Sequence, residues 1–320
     1  MINPPTFNDF NALEDWIADA GHSGHQGIYN KGYLYNRALN RLRSEEIDLA
    51  YYVHQSPRLN PDYFKETFAN KKIDTYSTSD FYGDYETQTE RDYWVDFANS
   101  SLGGGAFSTA FVQEEKMVAE IPQLANHICS CLAYNQPYCT LKTRIGSPHV
   151  GQGLPTPIVF EGVVHVQRID NVYHGKNLEQ VYDISEEVTD SPLQKVNILA
   201  MAAPKVASKN DSFQLETIQD IFNTAIAGFS SCKKPALIHT GPLGAGAFNN
   251  DAKVSYVVQK LAAEHIGVDL LFHGYSKHKA QGAESIHQEI KKVFLSQKKK
   301  HRTIENLLQI TSNLFGDKYL

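Results

Sequence analysis

Two neighbouring carboxylates, Glu114 and Glu115, complete the triplet Gln113-Glu114-Glu115, which follows Gly103-Gly104-Gly105 after seven residues. Three glycines in a row lack Cβ atoms, so their backbone reaches conformations closed to other residues and can approach a ligand closely. A turn of that kind with helix N–H groups behind it suits an anion such as a diphosphate. Glycines that cradle phosphate beside two acids point to chemistry on a nucleotide sugar. The plainer alternative is a glycine turn of the sort common in α/β folds, with acids that only complement a helix dipole.

The surrounding chain supplies elements that would position this motif. Trp94 to Ala98 carries aromatic and β-branched residues without a breaker, as a strand buried in a parallel sheet does. Lys116 to Cys131 has apolar residues at Met117, Ile121, Leu124 and Ile128, the spacing of a helix. A second glycine stretch runs from Thr240 to Asp251. A short apolar strand at Ala236 to His239 delivers it, and a helix bearing Val254, Val257, Val258, Leu261 and Ala262 follows, then a strand at Val268 to Phe272. Ligands of such sheets bind at the carboxyl ends of the strands, where both glycine loops fall.

Val95-Asp96-Phe97-Ala98-Asn99, the three glycines and Gln113-Glu114-Glu115 together resemble the signature of the poly(ADP-ribose) glycohydrolases, a catalytic branch of the macrodomain fold. The second stretch, with Gly244-Ala245-Gly246-Ala247-Phe248-Asn249, is similar to that family's second glycine loop. The resemblance covers residues 93 to 275. It implies that Glu115 protonates the leaving oxygen of a glycosidic bond and then activates water, through an oxocarbenium-like state. Glu114 would bind and orient the ribose hydroxyls. Asp96, Asn99, Gly103, Gly104, Gly105 and Gln113 complete the first half of the implied substrate site. Gly244, Ala245, Gly246 and Ala247 would offer N–H groups to the diphosphate, with Phe248 packed over the distal ribose and Asn249 also in the substrate site. Asn99 closing an Asx turn and Asp96 holding loop amides are the alternatives for those two. Phe160 is the candidate ring for the adenine, with an ordinary core phenylalanine as its alternative. Pro242-Leu243 stands where the eukaryotic pattern usually has Asn-Trp.

Composition sets the frame. The 320 residues, 42% of them hydrophobic, are ample for one sizeable core and a smaller accessory unit. A formal charge of −6 removes any chain-wide basic field, so no direct nucleic-acid partner is expected. No run of eighteen apolar residues and no signal peptide is visible, so neither membrane nor cleaved export is expected. That points to the cytoplasm, with export by a route lacking a cleaved signal as the alternative. Cys129, Cys131, Cys139 and Cys232 lack CxxC spacing and read as buried free thiols.

Residues 1–90 are polar and tyrosine-rich with helical pieces, and read as a helical extension packed on a catalytic core at 91–276. His22 and His25 are spaced H-x-x-H in a Gly/Ser-rich turn with no third ligand near, so no metal is expected. Strands are predicted at Tyr138 to Ile145, Ile158 to Ile169 and Val196 to Ala203, with an irregular loop from Gly146 to Pro157. A helix follows over Phe213 to Phe229. Residues 277–320 form a C-terminal helical extension with a basic run at Lys298 to Arg302, read as a solvated face or as a contact for an acidic protein. The alternation predicts a three-layer α/β/α sandwich with a mixed, mostly parallel sheet.

The expected activity is release of ADP-ribose, from polymer or from a mono-ADP-ribosylated protein, with no cofactor. A non-catalytic reader of ADP-ribose is the alternative from another class, and the intact pair of acids argues against it. An interaction module with no ADP-ribose affinity would show no thermal shift with that ligand.

Overall fold

The computed structural model describes residues 9–83, 85–86, 89–134, 139–170 and 178–319. In chain order its elements are α1 (Asn11–Gly21), α2 (Gln26–Arg43), β1 (Tyr52–Gln55), β2 (Thr75–Ser77), β3 (Asp92–Asp96), α3 (Gln113–Glu120) and α4 (Pro122–Tyr134). Then come β4 (Arg144–Gly146), β5 (Gly153–Pro155), β6 (Ile158–Ile169), β7 (Val188–Ala200), α5 (Leu215–Ser231) and β8 (Leu237–Thr240). The chain ends with α6 (Ala252–Ile266), β9 (Asp269–Phe272), α7 (Lys277–Ser296) and α8 (Ile304–Tyr319).

Seven strands form one sheet in the order β1-β6-β7-β3-β8-β9-β2. Pairings from β7 through β3, β8 and β9 to β2 are parallel, while β6 runs antiparallel to β7 and β1 antiparallel to β6. Side chains alternate along β3: Trp94 faces a core shared with α1, α2, α3 and α4, while Tyr93 and Val95 face one shared with α5 to α8. Both faces are therefore buried. A mostly parallel strand with covered faces must be apolar throughout, as Trp94 and Val95 announce. The architecture is the expected α/β/α sandwich.

Four local expectations change. The helix over 116–131 is two helices, because Pro122 lacks an N–H and disfavours helical backbone at Ile121, which takes φ −129° and ψ 89°. Of the strand expected from Tyr138 to Ile145, only Arg144 and Ile145 belong to β4; Tyr138 lies outside the described residues. The loop expected to be irregular contains β5, which pairs with β4 as a hairpin. Cys131 and Cys139 are joined as a disulfide rather than free, leaving Cys129 and Cys232 as buried thiols.

Residues 1–90 do more than add helices, since β1 and β2 form the two edges of the sheet. At the other end, α7 and α8 lie in the layer of α5 and α6, with the Phe213 and Phe315 rings stacked at 5.9 Å. Lys298, Lys299, Lys300 and His301 are exposed between α7 and α8, while Arg302 donates to the Leu295 and Gln297 carbonyls at the end of α7. No helix among the described residues is long and apolar enough to cross a membrane.

Candidate active site

The parallel strands β7, β3, β8 and β9 end on one edge of the molecule, and the two glycine loops leave from β3 and β8. Gln113 fastens the helix that carries the acids. Its Oε1 accepts from Phe97 N at 2.8 Å and its Nε2 donates to Val95 O at 3.1 Å, so the side chain continues the hydrogen-bonding of β3 past its end. That anchor places Glu114 and Glu115 over the glycines.

Each acid takes two different N–H groups. Glu114 accepts from Gly103 N at 2.7 Å and Asn99 N at 3.0 Å. Glu115 accepts from Gly105 N at 2.8 Å and from Val112 N at 2.9 Å, the latter at the start of its own helix. The remaining glycine, Gly104, donates to Ser101 O at 3.2 Å. The three glycine N–H groups are thus committed to protein oxygens, two of them to the glutamates, and not offered to a diphosphate. Gly104 has φ +42°, and a Cβ there would lie 2.6 Å from Glu114 Oε2 and 3.0 Å from Glu115 Oε1. Only glycine lets both carboxylates come that close to the backbone.

Asp96, the last residue of β3, completes an acid cluster. It is fully buried and neither carboxylate oxygen has a hydrogen-bond partner among the described residues. Burial, then the charge of Glu115, pushes its carboxyl up to about 8. Glu114 is raised well above its ordinary value by burial, then by Asp96 and Glu115, against the lowering pull of its two N–H bonds. Asp96 and Glu114 therefore retain protons near neutrality. Asn99 uses its backbone here, donating to Glu114 and accepting from Thr143 Oγ1, while its side chain is exposed at the rim.

The second loop keeps donors free for a ligand. Gly246, Ala247 and Phe248 N–H groups donate to no acceptor among the described residues, whereas Ala245 N is bonded to Pro242 O at 2.9 Å. Of the expected diphosphate donors, Ala245 is therefore already engaged. Gly244 at φ +76° makes the turn. Phe248 O and Asn249 Nδ2 are tied to Val206, and Asp251 caps α6 by accepting from Lys253 N and Val254 N.

Phe160 lies elsewhere. It is fully buried in β6, edge-on to His127 at 5.1 Å between ring centroids, and is a core residue with no face for a ligand. Aromatic rings instead surround a small pocket between the loops, lined by Phe81, Tyr82, Phe97, Gln113, Pro242 and His273. Tyr82 is held there by O–H bonds to Val95 O and His239 O. His22 and His25 are exposed at the turn between α1 and α2, His22 Nδ1 lying 2.8 Å from Ala18 O, and no group of three metal-ligating side chains occurs among the described residues.

Lys31 and Tyr35 on α2 are the residues sequence reasoning missed. Lys31 is buried beneath the first loop, and Tyr35 Oη donates to Ala106 O at 2.7 Å. Burial pushes the Lys31 ammonium down to about 7, while Glu115 and Glu114 act in the opposite direction. The available signal was a lysine in the apolar stripe Lys31, Leu34, Tyr35, Ala38 and Leu42.

The β3 and β8 loops thus bring three acids and the amides of Gly246, Ala247 and Phe248 to one edge of the sheet. The family model for "Poly (ADP-ribose) glycohydrolase (PARG), Macro domain fold" matches residues 67–282, and the chain belongs to this family of glycosidases. Among solved structures, the Thermomonospora curvata poly(ADP-ribose) glycohydrolase bound to the inhibitor ADP-HPD is similar at 12% identity, with 82% of this chain and 99% of that one covered and a TM-score of 0.44. The Deinococcus radiodurans enzyme in complex with ADP-ribose is similar at 14% identity, covering 69% and 86%, with a TM-score of 0.42. No curated protein matches.

Proposed function

We propose that this chain hydrolyses the glycosidic bond of ADP-ribosyl groups, with Glu115 as the acid that protonates the leaving oxygen and then as the base that activates water. The observation that carries the reading is the seating of Glu115: one N–H from each side of the glycine loop fixes its two oxygens. Each oxygen keeps a lone pair for a proton or a water. Glu114 and Asp96 lie beside it as the neighbours that keep protons in the site, and a ribose hydroxyl meets the remaining lone pairs of Glu114. The N–H groups of Gly246, Ala247 and Phe248 suit the diphosphate. The pocket lined by Phe81, Tyr82, Phe97 and His273 suits a purine, which binds through ring faces. No cofactor or metal is needed, because acid–base chemistry alone serves this bond.

Either leaving group, a ribose of the polymer or a protein side chain, departs with the same proton, so the two substrates are separated by measurement. Free ADP-ribose release is followed from automodified polymer and from a mono-ADP-ribosylated protein, for wild type and Glu115→Gln. The expected outcome is release from one or both, lowered at least ~100-fold in the variant as loss of a positioned acid implies, with ADP-ribose binding retained. Binding without release from either substrate would instead make the chain a reader.

A further inference from the structure

We propose that Lys31, on α2 and outside the residues matched by the family model, is a positioning residue that clips the first glycine loop shut behind Glu115. The inference rests on the role of Glu115 proposed above. Lys31 Nζ lies 3.3 Å from Gly105 O, 3.0 Å from Ala106 O and 2.8 Å from Ala110 O. An ammonium has three N–H donors, and here each has a carbonyl. Those carbonyls belong to both arms of the loop: Gly105 and Ala106 leave the glycines, and Ala110 returns toward α3.

Glu115 grips the same two arms from the other side, through Gly105 N and Val112 N. The separation of those two N–H groups therefore depends on what ties the arms together, and Lys31 is that tie. Tyr35, one turn along α2, adds its bond to Ala106 O, and the Phe111 ring lies 5.2 Å from Nζ. Burying an ammonium is costly unless it is fully hydrogen-bonded; fully bonded, it becomes a rigid cross-link between helix and loop. α2 itself is fixed to the core by Asn30 Nδ2 on Leu178 O and Val181 O, so the clip has a firm base.

Lys31→Met removes the donors and keeps an unbranched side chain one atom shorter. Amide hydrogen exchange is measured residue by residue, together with steady-state kinetics on the substrate that wild type cleaves. Gly105 and Val112 amides are expected to exchange about ten-fold faster or more, with β3 and α6 amides unchanged. kcat is expected to fall about 10- to 100-fold with KM within about two-fold, as misplacement of a reacting group implies. Adding Lys31→Met to Glu115→Gln should leave the residual rate unchanged, since both act through one carboxylate. Unchanged exchange at Gly105 and Val112, or an equal acceleration throughout β3 and α6, overturns the proposal, as does an active enzyme whose kcat is unaffected. The exchange readout needs no turnover. A wild type that releases no ADP-ribose therefore defeats the proposed activity, while the clip still stands or falls on exchange. Where Lys31→Met does not fold, Lys31→Gln, which keeps two uncharged donors, is read by the same criteria.

Discussion

Asp96 makes the stability of this protein respond to pH. An unfolded aspartate titrates near ~4, whereas folding pushes Asp96 up to about 8. The folded chain therefore holds a proton that the unfolded chain releases between those values. Stability from this group is fully present below the lower value and is lost as pH rises through the upper one. Asp96→Asn has no charge to bury. It should melt higher than wild type at about pH 8.5, by an amount on the order of a few kcal/mol, and the gap should narrow as pH falls and close below about pH 4; thermal melts across pH check this. Gly104→Ala is the second test at this scale. It places a Cβ 2.6 Å from Glu114 Oε2 at φ +42°. A loss of ~1–3 kcal/mol is expected by denaturant melting, with a loss of activity of at least ~10-fold as the acids are displaced.

Among the elements, the β4–β5 hairpin shows how a segment with weak sequence signals is held in place. Arg144 is fully buried and donates to Asp220 on α5, to Gly153 O within the hairpin and to Ala202 O at the end of β7. Asp220 in turn accepts from Gly151 N at 3.2 Å. Removing one member of a buried pair leaves the other charge unpaired, at a cost of ~3–5 kcal/mol. Arg144→Met should show that loss in urea unfolding. Because Arg144 N also donates to Ser100 O and Thr143 to Asn99 O, the hairpin braces the loop beside Glu114, and activity should fall with the same substitution. The expected long strand through this region could not form, since its stretch bends to meet Asn99, Ser100 and Ser101 rather than the sheet.

For the whole molecule, the N-terminal helices are part of the folded core. Leu13, Leu34, Tyr35, Ala38 and Leu39 are buried in the same cluster as Trp94 and Met117. Deleting residues 1–45 removes α1 and α2 and with them Lys31 and Tyr35. The truncated chain is expected to expose that apolar face, bind a hydrophobic dye, and lose activity rather than behave as a trimmed catalytic core. Dye fluorescence and gel filtration check this expectation.

Periodicity sufficed for β6, α5, α6 and β9, because each buries a regular set of apolar side chains and local pattern then agrees with tertiary demand. The glycine spacing and the acids were legible for a related reason: glycine at a positive φ and carboxylates at a helix start are chemical requirements written into residue type. What each loop amide bonds to was not legible. Gly103 and Gly105 looked like donors for a diphosphate, and only the folded chain turns them onto Glu114 and Glu115. Phe160 and the rings of Phe81, Tyr82 and Phe97 could not be ranked by type, since burial and not aromaticity decides which ring a ligand can reach. Lys31 lies 84 positions before Glu115 in the chain. Nothing local marks a lysine as the back of a distant loop, because its three bonds go to backbone carbonyls that every residue possesses. The sequence by itself determined the sandwich, its two loops and the acids; tertiary structure alone decided which groups hold those acids and which remain for a substrate.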